Sequence, residues 1–280
     1  MSTTQPITVI GATGQQGSAV LTELVQRGAT VRAVTRDPTG TRAQDLAAPG
    51  VEFVGADLAD VDTVRDAFEG AAAAFAMTTF DVAGGTDGEV KLGRVIADAA
   101  ESAGLPFLVY SSVGGAERHT GIPHFESKGR IEELLLDAVP VSFVRPTFFM
   151  DNLHGMVHRD DGRVQIAMPL PDGIPLQMIS VRDIGRVAVE LLTRADATAA
   201  PVEIAGDELT GSQIADRVAG ALDLPATYSA APVDVLGEDE DRKTMFRWFT
   251  QQPAYQADFD RTRQLVPDVE DLATWLGRAL

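Results

Sequence analysis

Residues 7–17 read Ile-Thr-Val-Ile-Gly-Ala-Thr-Gly-Gln-Gln-Gly, a short β-branched run followed by three glycines. Gly11, Gly14 and Gly17 have the spacing G-x-x-G-x-x-G, and residues 18–25 continue with the apolar period of a helix. A strand-to-helix turn uses glycine where the backbone bends sharply or where a ligand approaches it closely. Because backbone N–H groups point out of a helix start, this stretch is typical of a turn that cradles a pyrophosphate.

Working outward from this turn, the first 150 residues alternate short apolar runs with longer segments of helical period. That alternation predicts an α/β fold with a doubly wound parallel sheet and crossover helices. The predicted strands are 7–10, 30–35, 51–54, 72–77, 107–110 and 141–144, and the predicted helices are 15–27, 61–69, 89–103 and 124–138.

The alternation loosens after Pro146. The elements predicted for this half are helices at 148–158, 181–193, 211–222, 238–250 and from 269 onward, and a strand at 202–204. We therefore divide the chain into a dinucleotide-binding domain at 1–150 and a smaller lobe at 151–280. Within that lobe, residues 179–205 are expected to return to the first sheet.

The composition, with 280 residues of which 45% are hydrophobic and 23% charged, is that of a folded globular protein. Acidic residues number 41 against 23 basic ones, and the formal net charge of −18 makes direct nucleic-acid binding unexpected. Cysteine is absent from the sequence, which excludes thiolate chemistry and cysteine metal sites. The first apolar run, at residues 7–10, is too short for a signal peptide or a membrane span, so we expect a cytoplasmic protein without membrane association.

Arg36 and Asp37 follow the second predicted strand, with Arg36 nineteen residues after Gly17 (36 − 17). A carboxylate at this point accepts from the ribose 2′-hydroxyl of NAD, whereas a guanidinium pairs with the 2′-phosphate of NADP. Strand alternation leaves open which residue faces the ligand, or whether Arg36 is a solvated loop residue. Asp57 and Leu58, after the third strand, would lie beside the adenine or simply start a helix.

Five further motifs lie along the chain after the glycine turn. They are Tyr-Ser-Ser-Val-Gly-Gly-Ala at 110–116, Gly-Ile-Pro-His-Phe-Glu-Ser-Lys at 121–128, Val-Arg-Pro-Thr-Phe-Phe-Met-Asp-Asn at 144–152, Ile-Ser-Val-Arg-Asp-Ile-Gly at 179–185 and Tyr-Gln-Ala-Asp at 255–258. With the glycine turn, these motifs resemble the NmrA-like group of atypical short-chain dehydrogenase/reductases over nearly the whole chain. The resemblance implies an extended Rossmann fold with a small C-terminal α/β lobe, and NADP(H) as cofactor.

The resemblance also implies roles for individual residues. Arg36 would contact the 2′-phosphate, and Thr78, Ser111 and Lys128 would line the nicotinamide side. The segment after Pro146 would close over the cofactor, with Phe148 covering the nicotinamide or packing into the core. The complete expected set of cofactor-binding residues is Gly11, Thr13, Gly14, Gln15, Gln16, Gly17, Arg36, Asp57, Leu58, Thr78, Ser111, Lys128, Pro146 and Phe148.

One position departs from active short-chain dehydrogenases, in which a Tyr four residues before the Lys exchanges a proton with the substrate. Here His124 stands four residues before Lys128. The catalytic candidates are therefore His124 as a proton donor and Lys128 as an acid/base, with ribose anchoring or an ordinary surface position as the alternatives for Lys128. His154 and His158 have the helical spacing of a metal pair, but no third ligand is evident, so no metal site is expected.

Two functional hypotheses follow from these features. Loss of the Tyr favours an NADP(H)-binding redox sensor or regulator that acts on a regulatory protein partner. The alternative is an NADPH-dependent reductase of a small-molecule substrate, a quinone or an unsaturated carbonyl compound. The sequence leaves this choice open, and a homodimer is compatible with either function.

Overall fold

A computed structural model of the protein describes residues 5–197 and 200–279. The description does not include residues 1–4, 198–199 and 280. Residues 1–4 belong to the predicted domain at 1–150, and residues 198–199 belong to the segment 179–205 that was expected to return to the first sheet. Among the described residues, no helix combines the length and the apolar run that crossing a membrane would need.

The strands and helices are named here in chain order. The strands are β1 (Ile7–Ile10), β2 (Val31–Thr35), β3 (Val51–Gly55), β4 (Ala73–Met77), β5 (Leu108–Ser111), β6 (Val141–Pro146), β7 (Phe148–Phe149), β8 (Val157–Asp160), β9 (Arg163–Met168), β10 (Leu176–Ile179), β11 (Val202–Ile204), β12 (Asp207–Leu209) and β13 (Ala226–Ala230). The α-helices are α1 (Gln15–Gln26), α2 (Thr41–Asp45), α3 (Val61–Phe68), α4 (Gly85–Ala103), α5 (Pro123–Ala138), α6 (Val181–Arg194), α7 (Gly211–Leu222), α8 (Glu240–Phe249), α9 (Phe259–Leu265) and α10 (Leu272–Ala279).

The central sheet has seven strands in the order β11-β6-β5-β4-β1-β2-β3. β1 pairs in parallel with β2 on one side and with β4 on the other, so the direction of winding reverses at β1. At such a reversal a doubly wound sheet opens a crevice at the carboxyl ends of its strands. The α/β fold expected from the alternation is confirmed.

The chain divides into two compact units. The first unit comprises Met1–Val113, Ser127–Arg145 and Arg182–Val202, and the second unit comprises Gly114–Glu126, Pro146–Val181 and Glu203–Leu280. The structure thus assigns residues 114–126 and 146–150 to the second unit, whereas the sequence boundary after residue 150 placed them in the dinucleotide-binding domain. Of the segment 179–205 that was expected to return to the first sheet, the first unit holds 182–202, and residues 179–181 and 203–205 belong to the second unit.

The strands of the first unit carry buried apolar side chains, which pack against the helices on the two faces of the sheet. Val9, Ile10, Phe75 and Leu108 are all fully buried, as is usual for parallel strands that face a helix layer on each side. This burial accounts for the short continuous apolar runs from which the strands were predicted.

Helices α1 and α6 approach each other closely at a glycine. A Cβ at Gly185 of α6 would lie 2.7 Å from the backbone carbonyl carbon of Ala19 in α1. Because real Cβ atoms do not approach other atoms so closely, this contact requires glycine at position 185.

The second unit contains two three-stranded sheets, ordered β12-β10-β7 and β13-β9-β8. The prediction of one helix over 148–158 was wrong, because this stretch forms β7, a 3-10 helix at Met150–Gly155 and β8. β7 pairs with the later strand β10, and β8 forms a hairpin with β9. Asp161 and Gly162 make the hairpin turn with φ of +42° and +71°, and such an Asp-Gly pair is a hairpin signal that the helical interpretation overlooked.

Candidate functional site

The glycine turn forms at the carboxyl end of β1. Gly11 has φ +68°, in the left-handed region that favours glycine. The Gly14 N–H donates to the Gly11 carbonyl oxygen at 2.9 Å, and a Cβ at Gly17 would overlap that same oxygen. α1 begins at Gln15, and its N-cap, Gly14, supplies no side-chain hydrogen bond. The first amides of this helix are therefore placed to bind an anion.

A cavity of about 550 Å³ lies in the first unit at the carboxyl ends of β1, β2 and β4. Its volume is within the range of roughly 300–1,000 Å³ that small-molecule and cofactor sites occupy. The expected cofactor-binding residues that line it are Gly11, Thr13, Gly14, Arg36, Asp57, Leu58 and Thr78.

Two neighbouring residues after β2, Arg36 and Asp37, differ in their position relative to the cavity. Arg36 lines the cavity and Asp37 does not. The Asp37 Oδ1 accepts hydrogen bonds from the Thr39 N–H at 3.2 Å and from the Thr39 hydroxyl at 3.1 Å. Arg42, on α2, lines the same cavity as Arg36. Within residues 5–197 and 200–279 neither arginine has an ion-pair partner, so both guanidinium charges are available to a ligand.

Asp57 and Leu58 form the cavity wall that follows β3. Asp57 Oδ1 accepts from the Ala59 N–H at 2.9 Å, and the Thr63 hydroxyl donates to the Asp57 carbonyl oxygen at 3.1 Å. These bonds hold the Asp57 side chain in a local turn just before α3. Leu58 supplies an apolar surface beside it.

Lys128 belongs to a buried polar group that we name the Glu89 cluster: Thr78, Glu89, Tyr110, Ser127 and Lys128. Lys128 Nζ lies 3.0 Å from Glu89 Oε1 and donates to the Thr78 carbonyl oxygen at 2.6 Å. The Tyr110 hydroxyl lies 3.3 Å from the same nitrogen and shares a 2.6 Å hydrogen bond with the Thr78 hydroxyl. Ser127 Oγ donates to Glu89 Oε2 at 2.5 Å. All three hydrogens of the ammonium therefore have acceptors within the protein.

The electrostatics of this cluster hold the Lys128 proton firmly. Lys128 is only 8% exposed, so the interpretation as an ordinary surface lysine was wrong. Burial alone would lower the pKa of Lys128, but Tyr110 and Glu89 outweigh it and raise that pKa above the ordinary 10.5. Burial also raises the pKa of the Tyr110 hydroxyl, which keeps the phenol protonated at neutral pH.

Two other expected residues contact each other inside the first unit. The Ser111 hydroxyl donates to Gln16 Oε1 at 2.5 Å, and both side chains are buried. Gln15 is exposed, and its carbonyl oxygen accepts from the Ser18 hydroxyl at 3.1 Å. The first-unit residues that were expected at the cofactor but do not line the cavity are Gln15, Gln16, Gly17, Ser111 and Lys128.

His124 lies in the second unit at the start of α5 and contacts Asp241 of α8. Asp241 Oδ2 accepts from the His124 backbone N–H at 2.9 Å, and Asp241 Oδ1 bonds to His124 Nδ1. The carboxylate thereby satisfies an amide of the first helical turn and fixes the orientation of the imidazole.

Pro146 and Phe148 also belong to the second unit. The Pro146 carbonyl oxygen accepts from the Gly114 N–H at 2.9 Å. Phe148 is buried, with its ring centroid 6.3 Å from that of Phe249 in an edge-on arrangement. Phe148 is thus a core residue of this unit.

The two histidines with metal-pair spacing do not share a helix face. His154 lies in the 3-10 helix with its ring centroid 5.1 Å from that of Trp275, whereas His158 lies in β8. The helical arrangement inferred for this pair was wrong. In the part of the chain that the structure describes, no group of three or more His, Asp or Glu residues is arranged to hold a metal ion.

Comparison with known proteins shows the family of the chain. The model of the NmrA-like family matches residues 3–275. The chain belongs to this family.

Curated relatives carry the name NmrA-like family domain-containing oxidoreductase. The protein malD of Malbranchea aurantiaca is 34% identical over 188 residues, which are 58% of this chain and 56% of the relative. The protein cpsB of Aspergillus campestris is 43% identical over 112 residues, which are 38% of this chain and 33% of the relative. This NmrA-like chain spans about half the length of the curated relatives it matches.

Solved structures share the fold of this NmrA-like protein. NmrA, a negative transcriptional regulator crystallised with NAD, has a TM-score of 0.84 over 99% of this chain and 96% of its own, at 22% identity. The NADPH-dependent quinone oxidoreductase QOR2 of Escherichia coli, complexed with NADPH, has a TM-score of 0.78 over 97% and 99%, at 21% identity. Triphenylmethane reductase of Citrobacter sp., complexed with NADP(H), has a TM-score of 0.80 over 98% and 100%, at 18% identity.

Sequence reasoning missed Arg42, Glu89 and Asp241. Arg42 follows Arg36 by six residues (42 − 36), but the five-residue helix that carries it is too short for an apolar period to predict its direction. Glu89 and Asp241 meet partners 39 (128 − 89) and 117 residues away along the chain. A single sequence carries no signal for such distant pairs.

Proposed function

We propose that this NmrA-like protein binds NADP(H) in the cavity of the first unit. The observation that carries the proposal is that one cavity combines a glycine turn at a helix start with two arginines, Arg36 and Arg42, that lack ion-pair partners within the described residues. The helix start suits a pyrophosphate, and the guanidinium groups suit the 2′-phosphate. In a chain of formal net charge −18, two such cations beside one cavity favour a phosphate ligand.

The remaining walls of the cavity fit the same ligand. Asp57 and Leu58 would flank the adenine, and Thr78 would lie toward the nicotinamide end. The related structures support this fit, because NmrA was crystallised with NAD and with NADP, QOR2 with NADPH and triphenylmethane reductase with NADP(H).

For the role of the bound cofactor, we propose a redox sensor or regulator. The Lys128 ammonium is enclosed by protein acceptors, and the phenol beside it, Tyr110, is fully buried and cannot touch a substrate. His124 occupies the position of the usual Tyr and is bonded to Asp241. A dinucleotide site without the usual proton donor suits a protein whose reduced and oxidised cofactor states favour different conformations and so a different protein partner.

A second role is favoured by the names of the curated relatives, which are oxidoreductases at 34% and 43% identity. In this role the protein is a reductase of a small quinone or unsaturated carbonyl compound. Bound NADPH would supply the hydride, the chain would hold and orient the acceptor, and water would supply the proton.

Calorimetric titration with NADPH, NADP⁺ and NADH tests these proposals. We expect the phosphorylated forms to bind more tightly than NADH, and a failure of all three to bind would overturn the cofactor site. A sensor must distinguish the states it reports, so strong discrimination between NADPH and NADP⁺ supports regulation. Similar affinities for both, with NADPH oxidation by members of a quinone and enone panel, would support the reductase instead.

A further inference from the structure

The turn between β2 and α2 contains a glycine whose role concerns a neighbouring side chain. Gly40 is the N-cap of α2, with φ −69° and ψ 161°, a backbone conformation that any residue can adopt. A Cβ at this position would lie 2.5 Å from Oδ2 and 2.9 Å from Cγ of Asp37. The turn therefore needs glycine at position 40 to leave room for the Asp37 carboxylate, and not because of backbone strain.

The space left by Gly40 lets Asp37 fold back over its own turn. Its Oδ1 accepts from the N–H and from the hydroxyl of Thr39, and its carbonyl oxygen accepts from the Gly40 N–H at 3.4 Å. In this arrangement the carboxylate is not part of the cavity wall, although the adjacent Arg36 is. The guanidinium of Arg36 consequently faces the cavity without a neutralising carboxylate from its own neighbour.

We propose that Gly40 determines cofactor preference by keeping the Asp37 carboxylate out of the cavity beside Arg36. This inference rests on the proposed NADP(H) site and names a residue that acts on its specificity through Asp37. A side chain at position 40 displaces the carboxylate from its bonds with Thr39. The displaced group then pairs with the Arg36 guanidinium or accepts from a ribose 2′-hydroxyl. Both outcomes oppose a 2′-phosphate and favour the dinucleotide that lacks it.

The substitution Gly40→Ala is expected to leave the fold intact. The backbone of residue 40 is in an ordinary region, and the atoms that an added Cβ would meet belong to the end of an exposed, movable side chain. The energetic effect should therefore fall on the position of one charge and not on the packing of the unit.

The test compares dissociation constants for NADPH and NADH in wild type, Gly40→Ala, Asp37→Asn and the double variant Gly40→Ala/Asp37→Asn. We expect Gly40→Ala to lower the preference for NADPH over NADH roughly tenfold, the scale of one charge-assisted hydrogen bond. The double variant should recover the wild-type ratio, because a displaced Asn carries no charge to set against Arg36. Asp37→Asn alone should leave the ratio unchanged.

Gly55→Ala is a matched control, because a Cβ there would meet the Pro38 ring at 3.7 Å, an ordinary contact. Its ratio of dissociation constants should equal that of the wild type. An unchanged ratio in Gly40→Ala, or a change that persists in the double variant, would overturn the inference while the cofactor site stands. Wild-type protein that binds NADPH no better than NADH would overturn the proposed NADP(H) preference itself, and this inference with it.

Discussion

The Lys128 ammonium lies 3.0 Å from the Glu89 carboxylate, and both groups are buried in the first unit. The pair links α4 to α5, and the same ammonium holds the Thr78 carbonyl at the end of β4, beside the cavity. Removing one partner of a buried ion pair leaves the other charge without compensation. The Glu89 cluster therefore positions a wall of the proposed cofactor site as well as stabilising the unit.

Replacing Glu89 by Ala should lower the free energy of unfolding by about 3–5 kcal/mol, the usual result of breaking a buried pair. Urea denaturation measures the change. The double variant Glu89→Leu/Lys128→Met is the control, and it should recover most of the loss because no unpaired charge remains. A loss below about 1 kcal/mol in Glu89→Ala, the value of an exposed pair, would contradict the structural role assigned to the cluster.

Cofactor preference should depend on both arginines of the cavity. Arg36→Glu is expected to abolish the preference for NADPH over NADH, because it replaces a phosphate partner with a repelling charge. Arg42→Ala should weaken NADPH binding by roughly tenfold and change NADH binding much less. Calorimetry gives the ratio of the dissociation constants for NADPH and NADH in each variant. Arg94→Ala is the control, because Arg94 is an exposed arginine of α4 that does not line the cavity. A wild-type ratio in either cavity variant would remove that arginine as a selector.

The glycines of the turn should separate binding from stability. Gly14→Val should prevent cofactor binding, because its side chain would narrow the space where backbone amides approach the ligand. Its cost in stability should be smaller than that of a side chain at Gly17, because a Cβ at Gly14 would lie 3.3 Å from the Gly11 carbonyl oxygen and one at Gly17 only 2.1 Å from it. Gly17→Ala should instead lower the free energy of unfolding by roughly 1–3 kcal/mol, since its Cβ overlaps the Gly11 carbonyl. Thermal unfolding and NADPH titration distinguish the two effects, with Gly220→Ala, where an added Cβ meets nothing within 4 Å, as the control. Retained NADPH affinity in Gly14→Val would argue against the assignment of the pyrophosphate turn.

The three tyrosines should resist ionisation in the native state. Burial is the main cause in each case: it raises the pKa of Tyr228 to about 12 and those of Tyr110 and Tyr255 above the ordinary 10.0. At about pH 11 the native protein should show little tyrosinate absorbance, whereas the urea-unfolded chain should be largely ionised. Tyr228→Phe is the control, because it removes the least buried of the three tyrosines. In this variant the first tyrosinate absorbance to form in the native protein as the pH rises should be lost.

The same shifts fix the sign of the pH dependence. The folded protein holds these protons more tightly than the unfolded chain, so their contribution to stability is complete below about pH 10 and is lost as the pH rises above it. The raised pKa of Lys128 acts in the same direction. A free energy of unfolding that stays constant across this alkaline range, or native tyrosinate that forms near pH 10, would be inconsistent with the burial described here.

The inner strands of the first sheet could be predicted from sequence because they are apolar on both faces. The predicted strand at 72–77 corresponds to Ala73–Met77, and the predicted helix at 15–27 to Gln15–Gln26. The glycine turn was visible for a related reason, since its residues are adjacent in the chain and each performs a local steric task.

Features that depend on side-chain direction or on distant partners could not be predicted. Strand alternation did not decide between Arg36 and Asp37, because that choice depends on a turn that Gly40 and Thr39 complete. β8 also escaped prediction, because its exposed residues lack an apolar alternation and its pairing with β9 is what makes it a strand.

The close approach of Gly185 to Ala19 determines when, during synthesis of the chain, α1 can complete its packing. α1 ends at Gln26, and α6, which packs against it, begins at Val181, so 154 residues (181 − 26 − 1) separate the two helices. While the chain is being synthesised, the surface of α1 at Ala19 therefore lacks its native cover. A ribosome must translate those intervening residues and α6 itself before the helix at the glycine turn can reach its final packing.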